Sequence, residues 1–244
     1  MARTARRPTS RNEIDVKDAP LTLEDHPFYG LKLDDEQKAF RDAIWDPDID
    51  VVFCDSRAGT GKTTIAVATA MLLCEYGRYS GVYYQVAAGV HEFKQGLLPG
   101  SIEEKSASLF APLAQAVARL GYIPDRVIIN DNNMVGLKDG SAIIVAQTDS
   151  YIRGISVGEV DHPVVYLIDE AENYTAMALK TAITRINEGS KLIVIGSKVQ
   201  CDLKYPQDSG FVAMLNHFAG HDRCAVCNLT KNYRGWISEW ADKL

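Results

Sequence analysis

Apolar and polar positions alternate along the chain in blocks of two kinds. Short apolar runs typical of buried strands are separated by longer segments whose apolar residues recur at helical spacing. The predicted strands are residues 50–55, 80–87, 126–130, 141–147, 163–170, 190–196 and 224–229. The predicted helices are residues 34–45, 65–76, 102–120, 175–186 and 209–218, with a closing helix from Ser238. Strands that alternate with helices favour right-handed βαβ units, so we expect a three-layer α/β fold with a mainly parallel β-sheet and helices on both faces.

Length and composition limit the organisation of the chain. Its 244 residues are 46% apolar and 24% charged, ordinary values for a globular protein, and leave room for one large domain or two small ones. No run of about 18 apolar residues is present, so we expect no membrane-spanning helix. The cysteines are odd in number and scattered, which argues against a disulfide framework and favours a cytoplasmic location.

Charge is distributed unevenly between the N-terminus and the rest of the chain. Residues 1–11 contain four arginines and no acid, whereas the remainder holds 22 basic and 32 acidic residues, a net charge of −10. Such a body is a poor candidate for broad nucleic-acid binding. We expect residues 1–20 to form a flexible basic arm, either a solvated tail or a phosphate-binding segment, and residues 21–244 to form a single domain.

A glycine-rich loop follows the first predicted strand and opens a helix. It reads Ser56-Arg57-Ala58-Gly59-Thr60-Gly61-Lys62-Thr63, followed by Thr64. This is the phosphate-binding pattern Gly-x-x-x-x-Gly-Lys-[Ser/Thr], with Ser56 in place of the first glycine. Gly59 and Gly61 allow backbone amides to converge on an anion. Lys62 supplies a charge for the β- and γ-phosphates and Thr63 a hydroxyl for Mg²⁺, so we predict that this segment binds ATP.

A strongly apolar run ends in two acids, Asp169 and Glu170. Carboxylates at the C-terminal end of a parallel strand lie at the sheet edge where ligands bind. Asp169 is suited to hold Mg²⁺ through water and Glu170 to polarise an attacking water, although the same pair could cap a following helix. A small-molecule kinase would not need the second acid, because its substrate hydroxyl replaces water. The pair therefore favours hydrolysis.

Further motifs resemble those of the PhoH-like ATPases, P-loop proteins related to the core of superfamily 1 helicases. The similar segments are GLLPGSIEEK (96–105), YIRG (151–154), IDEAEN (168–173), ITRIN (183–187), GSKVQCDL (196–203) and the pair at 233–234. They run in the family's order over most of the chain. The resemblance implies a RecA-like P-loop NTPase that hydrolyses ATP with Mg²⁺, acts on or is regulated by RNA or single-stranded DNA, and assembles as a homo-oligomer, by analogy a hexameric ring.

The resemblance also implies roles for side chains outside the two main motifs. Gln200 would sense the γ-phosphate, and Gln37 would read adenine. Arg234 would neutralise transition-state charge, with Arg185 and Arg153 as alternative candidates. Each of these side chains has a plainer alternative as an ordinary structural or surface residue.

Nucleic-acid binding is supported less well than ATPase chemistry. Ser197 stands where the family has an acid, which affects the positioning of water or Mg²⁺, and Val86-Ala87 stands where it has Arg-Pro. Tyr83, Tyr84 and Phe93 could stack on bases, but aromatic residues on a buried strand more often pack in the core. These departures leave open an alternative function, a nucleotide-dependent switch that binds ATP with little turnover.

Four zinc-type ligands lie within a short stretch near the C-terminus: His217, His221, Cys224 and Cys227. The two cysteines are three positions apart on a predicted strand and would point to opposite faces of the sheet. We therefore favour core cysteines and loop histidines over a zinc site.

Overall fold

The computed structural model describes residues 19–88, 109–130, 143–151 and 156–241. Within these ranges, seven strands form one sheet in the order β3-β4-β2-β5-β6-β1-β7. The strands are β1 (Val51–Ser56), β2 (Val82–Val86), β3 (Ile128–Ile129), β4 (Ile144–Thr148), β5 (Val165–Ile168), β6 (Lys191–Gly196) and β7 (Cys224–Leu229). Every pairing between neighbouring strands is parallel, as predicted.

Helices connect the strands and cover both faces of the sheet. They are α1 (Asp35–Trp45), α2 (Lys62–Glu75), α3 (Ala111–Arg119), α4 (Pro124–Val127), α5 (Ala176–Ile183), α6 (Phe211–Phe218) and α7 (Trp236–Ala241). The helix predicted from residue 102 is seen only as α3, because residues 102–108 lie outside the described ranges. The closing helix begins at Trp236, two residues before the predicted Ser238. No helix in the described ranges is long and apolar enough to cross a membrane.

Two apolar clusters on opposite faces of the sheet establish the three-layer architecture. One cluster packs α1, α2 and α3 against the sheet, with Phe40, Met71 and Leu113 among its buried side chains. The other packs α5 and α6, through residues such as Leu179 and Phe211. The α/β class and the layering expected from the sequence are therefore confirmed.

The first helix is fixed at both ends by specific contacts. Its N-cap, Asp34, accepts a hydrogen bond from the Gln37 amide nitrogen, and the Gln37 side chain accepts one from the Asp34 backbone, which forms a capping box. Near its C-terminus, Trp45 Nε1 donates to the Pro20 carbonyl at 3.0 Å. The backbone at residue 20 therefore already contacts the helical layer.

The parallel sheet brings four loops to one edge. Strands β1, β5, β6 and β7 all end there, and β6 lies between β1 and β5. The loops that follow them contain the phosphate-loop motif, the acidic pair, residues 197–202 and residues 230–234. Ligand sites in open parallel sheets occur at this carboxyl edge. The segment 96–105, Phe93 and Arg153 lie outside the described residues.

Candidate functional site

A cleft of about 900 Å³ opens at the carboxyl edge of the sheet. It is lined by the loops after β1, β5, β6 and β7, and by parts of α1 and α3. The predicted site residues that line it are Gln37, Ala58, Gly59, Gly61, Lys62, Thr63, Thr64, Asp169, Glu170, Gln200 and Arg234. The folded chain thus gathers residues from both ends of the sequence at one place, and the cleft is large enough for a nucleotide.

The phosphate loop leaves β1 and enters α2 through two left-handed glycines. Gly59 has φ +84° and Gly61 has φ +87°, values that residues with a Cβ rarely adopt. Gly61 is the N-cap of α2, so the amides of the first helical turn face the cleft edge. Lys62 Nζ donates to the carbonyl of Ser56 at 3.2 Å, which folds the lysine back over the loop.

Three predicted loop residues do not line the cleft. Ser56 and Thr60 are buried, and Arg57 is exposed to solvent. Thr60 Oγ1 donates to the Arg57 carbonyl at 3.2 Å. The buried Ser56 and Thr60 side chains therefore lie beneath the loop, on the side away from solvent.

Asp169 is the best-anchored acid of the site, with 1% of its surface exposed. Its Oδ2 accepts hydrogen bonds from Thr63 Oγ1 at 2.9 Å and from the Tyr84 hydroxyl at 2.8 Å. Its Oδ1 accepts from the backbone N–H of Glu170 at 2.8 Å. The two groups predicted to bind Mg²⁺, the Thr63 hydroxyl and the Asp169 carboxylate, are therefore hydrogen-bonded to each other. Tyr84 is fully buried, so its ring packs in the core and is not available to stack on a base.

Glu170 lines the cleft in a strained conformation. Its φ is +51°, in the left-handed region that non-glycine residues seldom adopt. Its side chain makes no capping hydrogen bond to the short helix Ala171–Asn173 that follows. Strain of this kind clusters at functional sites, where the surrounding structure holds it in place.

The oxygen groups at this point suit a magnesium ion. Mg²⁺ prefers hard oxygen ligands and usually takes one or two protein groups together with substrate phosphates and waters. The Thr63 hydroxyl and the Asp169 carboxylate supply two such groups at hydrogen-bond distance. No cluster of three or more His, Cys, Asp or Glu side chains suited to a metal occurs in the described ranges, so a closed protein cage is not what these residues form.

Gln200 and Arg234 reach the phosphate loop from two different strands. Gln200, in the loop after β6, accepts a hydrogen bond from the Ala58 N–H through Oε1 at 3.2 Å. Arg234 follows β7, and its Cγ lies 3.0 Å from where a Cβ on Gly59 would stand. Of the alternative arginines, Arg185 does not line the cleft and Arg153 lies outside the described residues.

Gln37 lies on α1 against the back of the phosphate loop. Its Nε2 donates to the carbonyl of Thr60 at 2.8 Å, and its Oε1 accepts from the Asp34 N–H at 3.2 Å. The side chain is buried but borders the cleft. Its predicted contact with adenine remains a prediction.

A C-terminal strap, residues 230–234, crosses the phosphate loop. Thr230 donates its N–H and its hydroxyl to the Glu36 carboxylate, at 2.7 and 2.9 Å. The Tyr233 N–H donates to the carbonyl of Gly59 at 2.8 Å. The strap therefore connects α1 to the phosphate loop.

Sequence reasoning missed two buried side chains next to the acidic pair. Glu172 borders the cleft, and its Oε2 accepts from the Ser197 N–H at 3.1 Å. Asn173 Oδ1 accepts from the Asp202 N–H at 2.8 Å. The segment that contains them, residues 168–173, resembles a family motif, but nothing in the sequence indicates that these side chains connect two loops.

The two cysteines of the histidine–cysteine segment lie on opposite faces of the sheet. Cys227 packs against the cluster under α1 and α2, whereas Cys224 packs against the cluster under α5 and α6. The prediction that these two cysteines face opposite sides of the sheet is confirmed.

Comparison with known proteins identifies the family. Residues 32–236 match the sequence model of the family described as PhoH-like protein. The chain belongs to the PhoH family. Protein PhoH2 of Bacillus subtilis is 27% identical over 231 residues, which are 92% of this chain and 50% of that protein. The PhoH-like protein of Synechocystis sp. is 32% identical over 185 residues, 75% of this chain and 52% of that protein. This PhoH-family chain thus spans about half the length of the curated relatives it matches.

A solved structure supports the fold. The HK97 bacteriophage large terminase is similar with a TM-score of 0.50, covering 86% of this chain and 42% of that chain at 13% identity. At this identity the likeness shows the fold alone. Together with the all-parallel sheet, it confirms that the PhoH-family chain has the RecA-like P-loop fold that the sequence predicted.

Proposed function

We propose that this PhoH-family chain binds and hydrolyses ATP with Mg²⁺. The observation that carries the proposal is the 2.9 Å hydrogen bond from Thr63 Oγ1 to Asp169 Oδ2. It joins the end of the phosphate loop to the acidic strand at the point where a nucleotide-bound Mg²⁺ is needed. Glu170, the next residue, borders the same cleft.

Each side chain has a distinct task in this proposal. The loop amides and Lys62 bind the β- and γ-phosphates, while Thr63 and Asp169 hold Mg²⁺, which offsets charge on the transferring phosphoryl group. Glu170 accepts a proton from the attacking water or orients it. Gln200 senses the γ-phosphate. Arg234 stabilises the developing negative charge, in its own subunit or across a subunit boundary.

Coupling to a polynucleotide and assembly into a ring extend the proposal. By analogy with the PhoH-like ATPases, we propose that the chain acts on or is regulated by RNA or single-stranded DNA. A single RecA-like core supplies only half of a helicase cleft. We propose a homo-oligomer, by analogy a hexamer, in which an arginine of one subunit completes its neighbour's site. Light scattering after size exclusion, with and without ATP and Mg²⁺, tests this; a monomer under both conditions would contradict it.

Phosphate release by purified protein tests the ATPase directly. Lys62→Ala should abolish nucleotide binding and turnover. Glu170→Gln should bind nucleotide but turn over at least about a hundredfold more slowly, as expected when a general base is lost. Glu188→Gln, an exposed acid far from the cleft, is the matched control. If the wild type binds ATP tightly yet releases no phosphate with or without RNA or single-stranded DNA, the alternative function, a nucleotide-dependent switch, replaces the ATPase.

A further inference from the structure

Glu172 packs closely against a glycine, Gly196. It lies on the short helix Ala171–Asn173 directly after the acidic pair, and only 7% of its surface is exposed. A Cβ placed on Gly196, the last residue of β6, would stand 2.7 Å from Glu172 Oε2. The carboxylate therefore lies over the end of β6 and accepts the N–H of Ser197, the first residue beyond that strand.

Residues 197–202, here called the sensor loop, are tied to this helix at both ends. At the start, Ser197 N–H donates to Glu172, and Ser197 Oγ accepts from the Val199 and Gln200 amides at 3.4 and 3.3 Å. At the end, Cys201 Sγ donates to the Glu172 carbonyl at 3.2 Å. Between these ties, Gln200 contacts the phosphate loop through the Ala58 N–H.

We propose that Glu172 is a positioning residue, whose buried carboxylate holds the sensor loop so that Gln200 stays on the phosphate loop. The path runs from the acidic strand through Glu172 and Ser197 to Gln200 and Ala58. Glu172 makes no hydrogen bond to the groups that carry out the proposed chemistry, so it acts through Gln200. The proposal rests on the ATPase function for its kinetic readout but not for its structural one.

The charge of Glu172 depends on its surroundings. Burial raises the pKa of its carboxyl to about 7 and the Asp169 carboxylate adds to this, whereas backbone amides, including that of Ser197, and the Lys62 ammonium oppose it. The Cys201 thiol donates to the backbone carbonyl of Glu172. An ionised carboxylate accepts a stronger hydrogen bond than a neutral one. The hold on the sensor loop should therefore strengthen as pH rises through about 7.

Three substitutions separate positioning from general structure. Glu172→Ala removes the acceptor, Glu172→Asp keeps the charge but shortens the reach to Ser197, and Glu172→Gln keeps an oxygen acceptor at full length. Glu188→Gln is again the control. Hydrogen exchange of the peptide that contains residues 197–202 measures how often the sensor loop opens and does not require turnover. The kcat and KM for ATP measure how the position of the loop affects catalysis.

Glu172→Ala and Glu172→Asp should each speed exchange in the sensor loop about tenfold, the effect of losing one charge-assisted hydrogen bond. They should lower kcat by a similar factor and leave KM nearly unchanged. Glu172→Gln should restore both to the level that the wild type shows below pH 7, and its kcat should lose the rise with pH near neutrality shown by the wild type. Unchanged exchange in the alanine and aspartate variants, or a glutamine variant as impaired as alanine, would overturn the proposal. If the wild type shows no turnover, only the proposed ATPase function is contradicted, because hydrogen exchange of residues 197–202 still tests the role of Glu172.

Discussion

Gly59 and Gly121 have nearly the same positive φ angle but different surroundings. Their φ angles are +84° and +87°. A Cβ on Gly59 would lie 2.6 Å from Asn232 Oδ1, whereas a Cβ on Gly121 would have nothing within 4 Å. Both alanine substitutions cost about 1 kcal/mol of backbone strain. Only the one at Gly59 also forces a side chain of the strap, that of Asn232, to move.

Gly59→Ala should therefore weaken nucleotide binding by roughly tenfold or more, and Gly121→Ala should leave it unchanged. Titration with a fluorescent nucleotide measures the Kd, and thermal melting shows that both variants fold. Equal Kd values for the two variants would mean that the strap contact does not shape the phosphate loop.

Glu172 also links pH to stability, with a definite sign. Its pKa in the folded chain, about 7, is above the usual 4.5. The native state therefore binds more protons than the unfolded state between these values, and stability falls as pH rises through this window. Glu172→Gln removes that loss, so its free energy of unfolding should exceed that of the wild type by about 3 kcal/mol at pH 8 and by about 1 kcal/mol or less at pH 5.

Urea unfolding at the two pH values, with Glu188→Gln as the control, measures this difference. A glutamine variant that is no more stable than the wild type at pH 8 would show that burial does not raise the pKa of the native carboxyl. If Glu172→Gln is more stable than the wild type and its turnover no longer depends on pH near neutrality, the Glu172 carboxylate serves function at a cost in stability.

At the scale of elements, the strap connects two parts of the chain that are distant in sequence. Thr230 binds Glu36 on α1, and Tyr233 binds the carbonyl of Gly59. Glu36→Ala removes the acceptor of both Thr230 hydrogen bonds, so the strap should open more often. Nucleotide should then dissociate about threefold to tenfold faster, as expected from partly exposed hydrogen bonds to a charged group.

Stopped-flow displacement of a fluorescent nucleotide measures this rate. Lys38→Ala, on the exposed face of the same helix, is the matched control because its ion pair with Asp35 is fully at the surface. If the two variants release nucleotide equally fast, the strap does not retain it.

The elements differ in how well the sequence could predict them. Strands such as β5 and β6 were predictable because a strand buried on both faces is a continuous apolar run. The phosphate loop was predictable because its residues are contiguous and each meets a local backbone or charge requirement. The contacts of Glu172 with Ser197 and of Thr230 with Glu36 were not, because each joins segments whose proximity is set by the strand order. Periodicity contains no information on that order.

At the scale of the whole molecule, charge opposes binding to a polyanion. The chain beyond residue 11 has a net charge of −10. Electrostatic attraction of a polynucleotide must therefore come from a locally basic surface or from the four arginines of residues 1–11. A single-stranded polynucleotide releases about 0.7 counterions for each phosphate contact. If all four arginines contact phosphate, the arm should contribute about 3 to the slope of log K against log salt concentration.

Replacing Arg3, Arg6, Arg7 and Arg11 by glutamine in the full chain removes this contribution without changing the length of the arm. Binding to poly-RNA and to single-stranded DNA should weaken at low salt, and the salt slope should become shallower by about 3. ATP turnover without polynucleotide should not change, because the arm precedes every residue assigned to the cleft. Unchanged affinity together with an unchanged salt slope would show that the arm does not contact the polynucleotide. Any contact would then lie on the acidic remainder of the chain, in a locally basic channel.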